Sequence, residues 1–101
     1  MLEVDHADPD LARLETEPGF TAGHAPPVVK QFRILMQIIR TVSRKNQLYQ
    51  FGGRRLEKLG GKRQHQSSMR LNRKYRLIVE FSGEEPNERI LIVAIENHYG
   101  D

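Results

Sequence analysis

Along the first half of the chain, apolar residues recur every three or four positions. Val28, Phe32, Leu35, Met36, Ile39 and Val42 share one face, and Lys30, Gln31, Arg33, Gln37 and Arg40 lie mostly opposite. This spacing predicts an amphipathic helix of about four turns whose Met and Phe stripe belongs to the core. Ile34 and Ile38 widen the apolar arc, so a second element is expected on its flank. The segment Asp8 to Glu17 supplies it as a first helix, with Asp8 as N-cap and Pro9 at a first-turn position that tolerates its missing N–H. The opening MLEV reads as a short strand, and "PGFTAGHAPP" (18–27) as a loop that reverses the chain.

Beyond "SRKNQ" the period shortens to two. Strands are predicted over Arg54 to Leu59, Gln66 to Leu71, Tyr75 to Phe81 and Arg89 to Glu96, the last two separated by the hairpin loop "SGEEPNE". Two helices followed by a meander of strands imply an α+β domain, residues 1–101, in which two N-terminal helices pack on one face of a twisted antiparallel β-sheet.

Alternation also sets the register of one hairpin. Met69, Leu71, Tyr75, Leu77, Val79 and Phe81 form one apolar face only if the turn is Asn72, Arg73 and Lys74, with Leu71 opposite Tyr75. Arg70 then faces Arg76 on the other side, together with Ser68. Like charges in that position are destabilising unless an anion lies between them, so a phosphate site is expected on the open face.

Charge sharpens this expectation. The formal net charge is +3, but "RRLEKLGGKRQHQSSMRLNRKYR" (54–76) carries nine Lys or Arg and a single acid, Glu57, while residues 1–20 hold six acids against Arg13. So dense a local excess concentrates polyanions and points to a nucleic-acid partner. There is no cysteine, hence no disulfide or thiolate metal site. No apolar run reaches the length of a membrane span, and the acidic start is unlike a signal peptide, so a cytoplasmic protein without membrane partners is expected.

No phosphate-binding loop, dinucleotide fingerprint, nucleophile elbow or metal motif is present, and His6, His24, His65 and His98 are scattered. No metal or cofactor is expected. What remains is Glu57, Arg70, Arg76, His98 and Tyr99. A carboxylate, one or two arginines and a histidine are what RNA cleavage requires without metal: a base for the 2′-hydroxyl, fixed cations for the phosphorane, and a proton for the departing 5′-oxygen. The 2′-hydroxyl is the nucleophile, so DNA would be refused. Taken singly, each residue has a plainer reading: Glu57 paired with Lys58 or Arg55, the arginines as surface charge, His98 and Tyr99 as a strand end covering the core.

Order and spacing carry more. "RLEKLGGKRQHQSSMRLNRKYRLIV" resembles the pattern of HigB and YoeB toxins in the RelE/ParE superfamily, and "DLARLETEPGFTAG" and "FRILMQIIR" are similar to the N-terminal half of longer HigB-like chains. The resemblance spans essentially the whole chain. It implies a RelE-like fold and a ribosome-dependent endoribonuclease, an mRNA interferase that cuts mRNA in the A site of the 30S subunit. Carried over, it assigns Glu57 as general base, Arg76 as the clamp on the scissile phosphate, His98 as general acid and Tyr99 to positioning or nucleobase contact, the last two being able to exchange roles. Arg54, Arg55, Lys58, Lys62, Arg63, Arg70, Arg73 and Lys74 would hold RNA. HigB-type chains usually have His where Glu57 stands and end Asp-Tyr-His where this one has Asn97, His98 and Tyr99, so the site is more YoeB-like than the N-terminal half. The implied partners are the ribosome, mRNA and a cognate HigA-like antitoxin with a helix-turn-helix, through which operator DNA would be bound. The alternative within the superfamily is a ParE-like inhibitor of DNA gyrase with no nuclease site; a non-enzymatic RNA-binding module is supported by the basic stretch alone.

Overall fold

The computed structural model describes residues 2–97. The elements follow as β1 (Glu3–His6), α1 (Pro9–Thr16), α2 (Pro26–Thr41), short 3-10 turns at Lys45–Gln50 and Gly52–Arg54, β2 (Glu57–Lys58), a 3-10 turn at Gly61–Arg63, β3 (Ser67–Arg70), β4 (Tyr75–Ser82) and β5 (Arg89–Asn97). The five strands form one sheet in the order β1-β5-β4-β3-β2. The fold is α+β, but the sheet is mixed rather than antiparallel throughout: β1 lies parallel to β5 at one edge. The expected meander accounts for β2 to β5. The opening strand is followed by both helices before the chain re-enters the sheet, and a long crossover of this kind permits parallel pairing.

The first helix is closed at both ends by side chains. The Asp8 carboxylate accepts the backbone N–H of Asp10 at 2.9 Å and caps α1, with Pro9 in its first turn. At the other end the Arg33 guanidinium of α2 donates to the carbonyls of Leu14 (2.9 Å), Glu17 (2.8 Å) and Phe20 (3.2 Å). A cation thus bonds carbonyls at and just beyond the C-terminal end of α1, where the helix ladder runs out of donors. The predicted α2 stripe, Val28, Phe32, Leu35, Met36, Ile39 and Val42, is buried throughout. It joins Leu11 and Leu14 of α1 and the alternate sheet residues Met69, Leu77, Val79, Ile90 and Ile92 in one core.

The apolar run of β5 did not reveal which residues face that core. Ile78 pairs with Ala94 but Val79 with Ile92, so Val93 is the extra residue of a β-bulge. The bulge lets Ile92 and Ile95, three positions apart, both turn towards the core. On the opposite face Ser68 and Ile78 are buried as well, because the segment between β2 and β3 folds back across it. Arg63 holds the segment there by bonding Glu96 at 2.9 Å, and Gln66 by bonding Glu80 at 3.0 Å.

Candidate active site

The β3–β4 hairpin has the predicted register. Arg70 pairs with Arg76, and the Leu71 N–H donates to the Tyr75 carbonyl at 3.0 Å. The turn is locked by Asn72, whose side-chain oxygen accepts the backbone N–H groups of both Lys74 and Tyr75 at 2.9 Å. This Asx-type turn is what fixes three residues rather than two between the strands. The two guanidiniums therefore leave the same face, and Arg55 and Arg73 join them around a cleft of about 280 Å³ floored in part by Asn72. Among the described residues, no carboxylate lines it. A cluster of this sign and shape suits a phosphate group, since guanidinium forks match its oxygens in pairs.

Arg55 reaches this cleft because of a backbone irregularity. It caps the 3-10 turn Gly52–Arg54 in a left-handed conformation, φ 48° and ψ 58°, which breaks the strand predicted over Arg54 to Leu59. Only Glu57 and Lys58 pair with β3. The kink also separates Arg54 from its neighbour. The Arg54 guanidinium turns inward and donates to the Arg70 carbonyl at 3.3 Å, and burial pulls its pKa below the ordinary arginine value. It braces the Arg70 backbone rather than lining the cleft.

Arg76 stands between this cleft and a second one of about 230 Å³, lined by Leu59, Arg63, Ser68, Ile78 and Asn97 among others. Its Nη1 donates to Ser68 Oγ at 3.0 Å and lies 3.5 Å from Glu57 Oε2. Ser68 sits directly across from Glu57 in the β2–β3 pairing and next to Ile78 in the β3–β4 pairing, so three adjacent strands deliver the trio Glu57, Ser68 and Arg76. Ser68 is completely buried, Arg76 mostly so, and the Glu57 side chain is 53% exposed. The arrangement offers a solvent-accessible proton acceptor beside a fixed cation.

The other sequence-assigned residues divide. Arg70 and Arg73 line the cationic cleft. Arg63 is engaged with Glu96 and Gln66, which neutralises much of its charge. Lys58 leaves β2 on the face opposite Glu57 and belongs to a separate groove with Tyr49 and Phe81. Lys62 and Lys74 are exposed and line neither of the two clefts. His98 and Tyr99 lie outside the described residues. Sequence reasoning put Ser68 on the right face but gave it no task; the Ser-x-Arg spacing that aligns it with Arg70 was the available signal. The structural role of Asn72 was also missed, although Asn at the start of a tight turn is a recognisable sign.

This architecture has a solved counterpart. A YoeB/ParE toxin from Agrobacterium tumefaciens superposes with a TM-score of 0.62 over 97% of this chain and 100% of its own, at 18% identity. At that identity the likeness concerns the fold. No curated protein matches the sequence. The profile of the HigB-like toxins, RelE-like toxins of type II toxin–antitoxin systems, matches residues 10–98.

The chain belongs to the HigB-like toxin family.

That match runs from the first helix past the last described strand and includes the whole Glu57, Ser68 and Arg76 trio. The protein is thus a RelE-like toxin of a type II toxin–antitoxin system, and a module of that type implies an antitoxin as its partner. No helix among the described residues is long and apolar enough to cross a membrane.

Proposed function

We propose that this HigB-like toxin is an endoribonuclease that cleaves mRNA in the ribosomal A site and so stops translation, by acid–base chemistry that needs no metal. The observation that carries the proposal is the Glu57 carboxylate 3.5 Å from an Arg76 guanidinium that borders an arginine-lined cleft. With RNA bound, Glu57 takes the proton of a 2′-hydroxyl. The freed oxygen attacks the adjacent phosphorus, and Arg76 stabilises the charge that builds on the phosphorane oxygens. The bond to the 5′-oxygen breaks as that oxygen receives a proton from the terminal His98 and Tyr99 pair. One product ends in a 2′,3′-cyclic phosphate and the other begins with a 5′-hydroxyl.

The energetics favour a site that opens on substrate binding. An ion pair this long, with its carboxylate half in solvent, is worth about 1 kcal/mol, whereas a phosphate entering among several guanidiniums makes shorter, charge-assisted bonds. The phosphate therefore displaces Glu57 from Arg76 at small cost and frees the carboxylate to act as a base. The shallow, open geometry supports ribosome dependence. A half-exposed carboxylate on a two-residue strand orients a flexible RNA poorly, and effective molarity is regained when the ribosome holds the message in place.

The test is incubation with translating ribosomes and with naked message. Cleavage on ribosomes and little on free RNA is expected; vigorous cutting of free RNA rejects the ribosome requirement. Intact message together with inhibited DNA gyrase would move the assignment to a ParE-like poison. The antitoxin expected to neutralise the protein is HigA-like, with a helix-turn-helix that brings the complex to operator DNA.

A further inference from the structure

A third groove lies across the edge strand from the proposed active site, on the helix side of the sheet. It measures about 300 Å³ and is lined by Lys45, Tyr49, Lys58, His65, Ser67 and Phe81 among others. Three features set it apart from ordinary surface. Tyr49 (56% exposed) and Phe51 (38%), the latter two residues further on, are the large apolar side chains left in solvent among the described residues. Tyr49 is presented by a 3-10 turn anchored through the fully buried Leu48. The charged groups lining the groove are basic: the Lys45 ammonium stands 5.1 Å over the Phe81 ring, and His65 has the Glu80 carboxylate 3.9 Å from its Nε2 as its acidic neighbour. Aromatic rings interleaved with cations suit the stacked bases and phosphates of a single strand.

Position links this groove to the site. Glu57 and Lys58 are successive residues of β2, so their side chains leave on opposite faces one strand step apart. β2 is the last strand of the sheet and too short to carry a neighbour. A polynucleotide held at Arg76 can cross this low edge and reach Lys58.

We propose that the Lys45, Tyr49 and Lys58 groove is a docking site for the continuation of the substrate RNA strand, with a base stacked on Tyr49 and phosphates on the two lysines. The inference rests on the nuclease reading of the Glu57 and Arg76 site and extends it beyond the reacting nucleotides.

The full chain is titrated, by fluorescence anisotropy, against labelled oligouridylates of about three and about ten nucleotides. Tyr49→Ala should weaken binding of the longer probe about tenfold and leave the shorter one unchanged, and Tyr49→Phe should restore it, since stacking needs the ring and not the hydroxyl. Lys45→Gln should weaken the longer probe and flatten its salt dependence. Equal affinity of wild type and Tyr49→Ala for the longer probe overturns the proposal, as does weakening of both probes alike. Loss of affinity for vacant ribosomes with unchanged oligonucleotide binding also overturns it, by assigning the groove to ribosomal RNA. Failure of the two readings is separable. Length-dependent binding through Tyr49 without mRNA cleavage leaves the groove standing and removes the nuclease; cleavage with no Tyr49 effect on binding does the reverse.

Discussion

Ser68 is the residue on which the proposed chemistry turns without taking part in it. A serine hydroxyl buried completely among Ile78, Leu59 and the stem of Arg76 needs a partner, and the Arg76 guanidinium supplies it at 3.0 Å. In exchange the guanidinium is held at the boundary between the two clefts. Ser68→Ala removes that anchor with almost no change in volume. The folded state should lose about 1 kcal/mol, and cleavage should fall about tenfold. If Ser68 acts through Arg76, Ser68→Ala combined with Arg76→Ala should be no slower than Arg76→Ala alone; additive losses in such a double-mutant cycle would show independent roles. Ser68 also marks a limit of reading from sequence. Alternation placed it beside Arg70 and Arg76, but its burial depends on the 59–66 segment folding over the sheet, a tertiary event with no local signature.

Among the elements, the helices were the most legible, since the three-to-four residue period survives into α2 and the Asp-Pro start into α1. The β3–β4 register was legible for a similar reason: six apolar residues could share a face in just one way. The strand expected over Arg54 to Leu59 was not, because Gly52, Gly53 and the left-handed Arg55 replace most of it by a turn. That same turn is what carries Arg55 into the cationic cleft. The parallel β1 was read as a strand without its neighbour, and its pairing with β5 brings His6 to Glu15 of α1 at 3.0 Å, where Arg40 of α2 also bonds the carboxylate twice at 2.9 Å. Burial alone would raise the Glu15 pKa, but the bonds and charges of Arg40 and His6 more than offset this and hold it below the usual 4.5. The unfolded chain therefore takes up this proton first as pH falls, and the stabilisation, complete above the usual value, is lost as pH drops through the lowered one. Glu15→Gln should melt at a lower temperature than wild type near neutral pH, by a deficit of about 1–2 kcal/mol, and the gap should close below pH 4.5. A gap independent of pH in thermal melts would mean that Glu15 contributes packing rather than charge.

At the scale of the whole molecule, charge is segregated. A net +3 conceals an acidic start and a basic run four of whose arginines converge, through β-pairing and one strained turn, on a single cleft. The basic run was legible as a polyanion surface, but not its division of labour: Arg54 braces, Arg63 holds a loop, Lys58 faces the other way, and Arg55, Arg70, Arg73 and Arg76 share the cleft. Arg73→Ala should thus lower the slope of log affinity for single-stranded RNA against log salt by about 0.7, whereas Arg63→Ala should change it much less; equal effects in salt titrations would refute that division. The central claim remains that Glu57 is the base of a ribosome-dependent nuclease. The most direct test is cleavage of mRNA on translating ribosomes by wild type and Glu57→Gln, with 5′ ends mapped. Wild type should cut within the A-site codon, leaving 5′-hydroxyl ends, and Glu57→Gln should be slower by about a hundredfold or more while still binding the ribosome. Equal rates for the two proteins, or messages left whole by wild type, would contradict it.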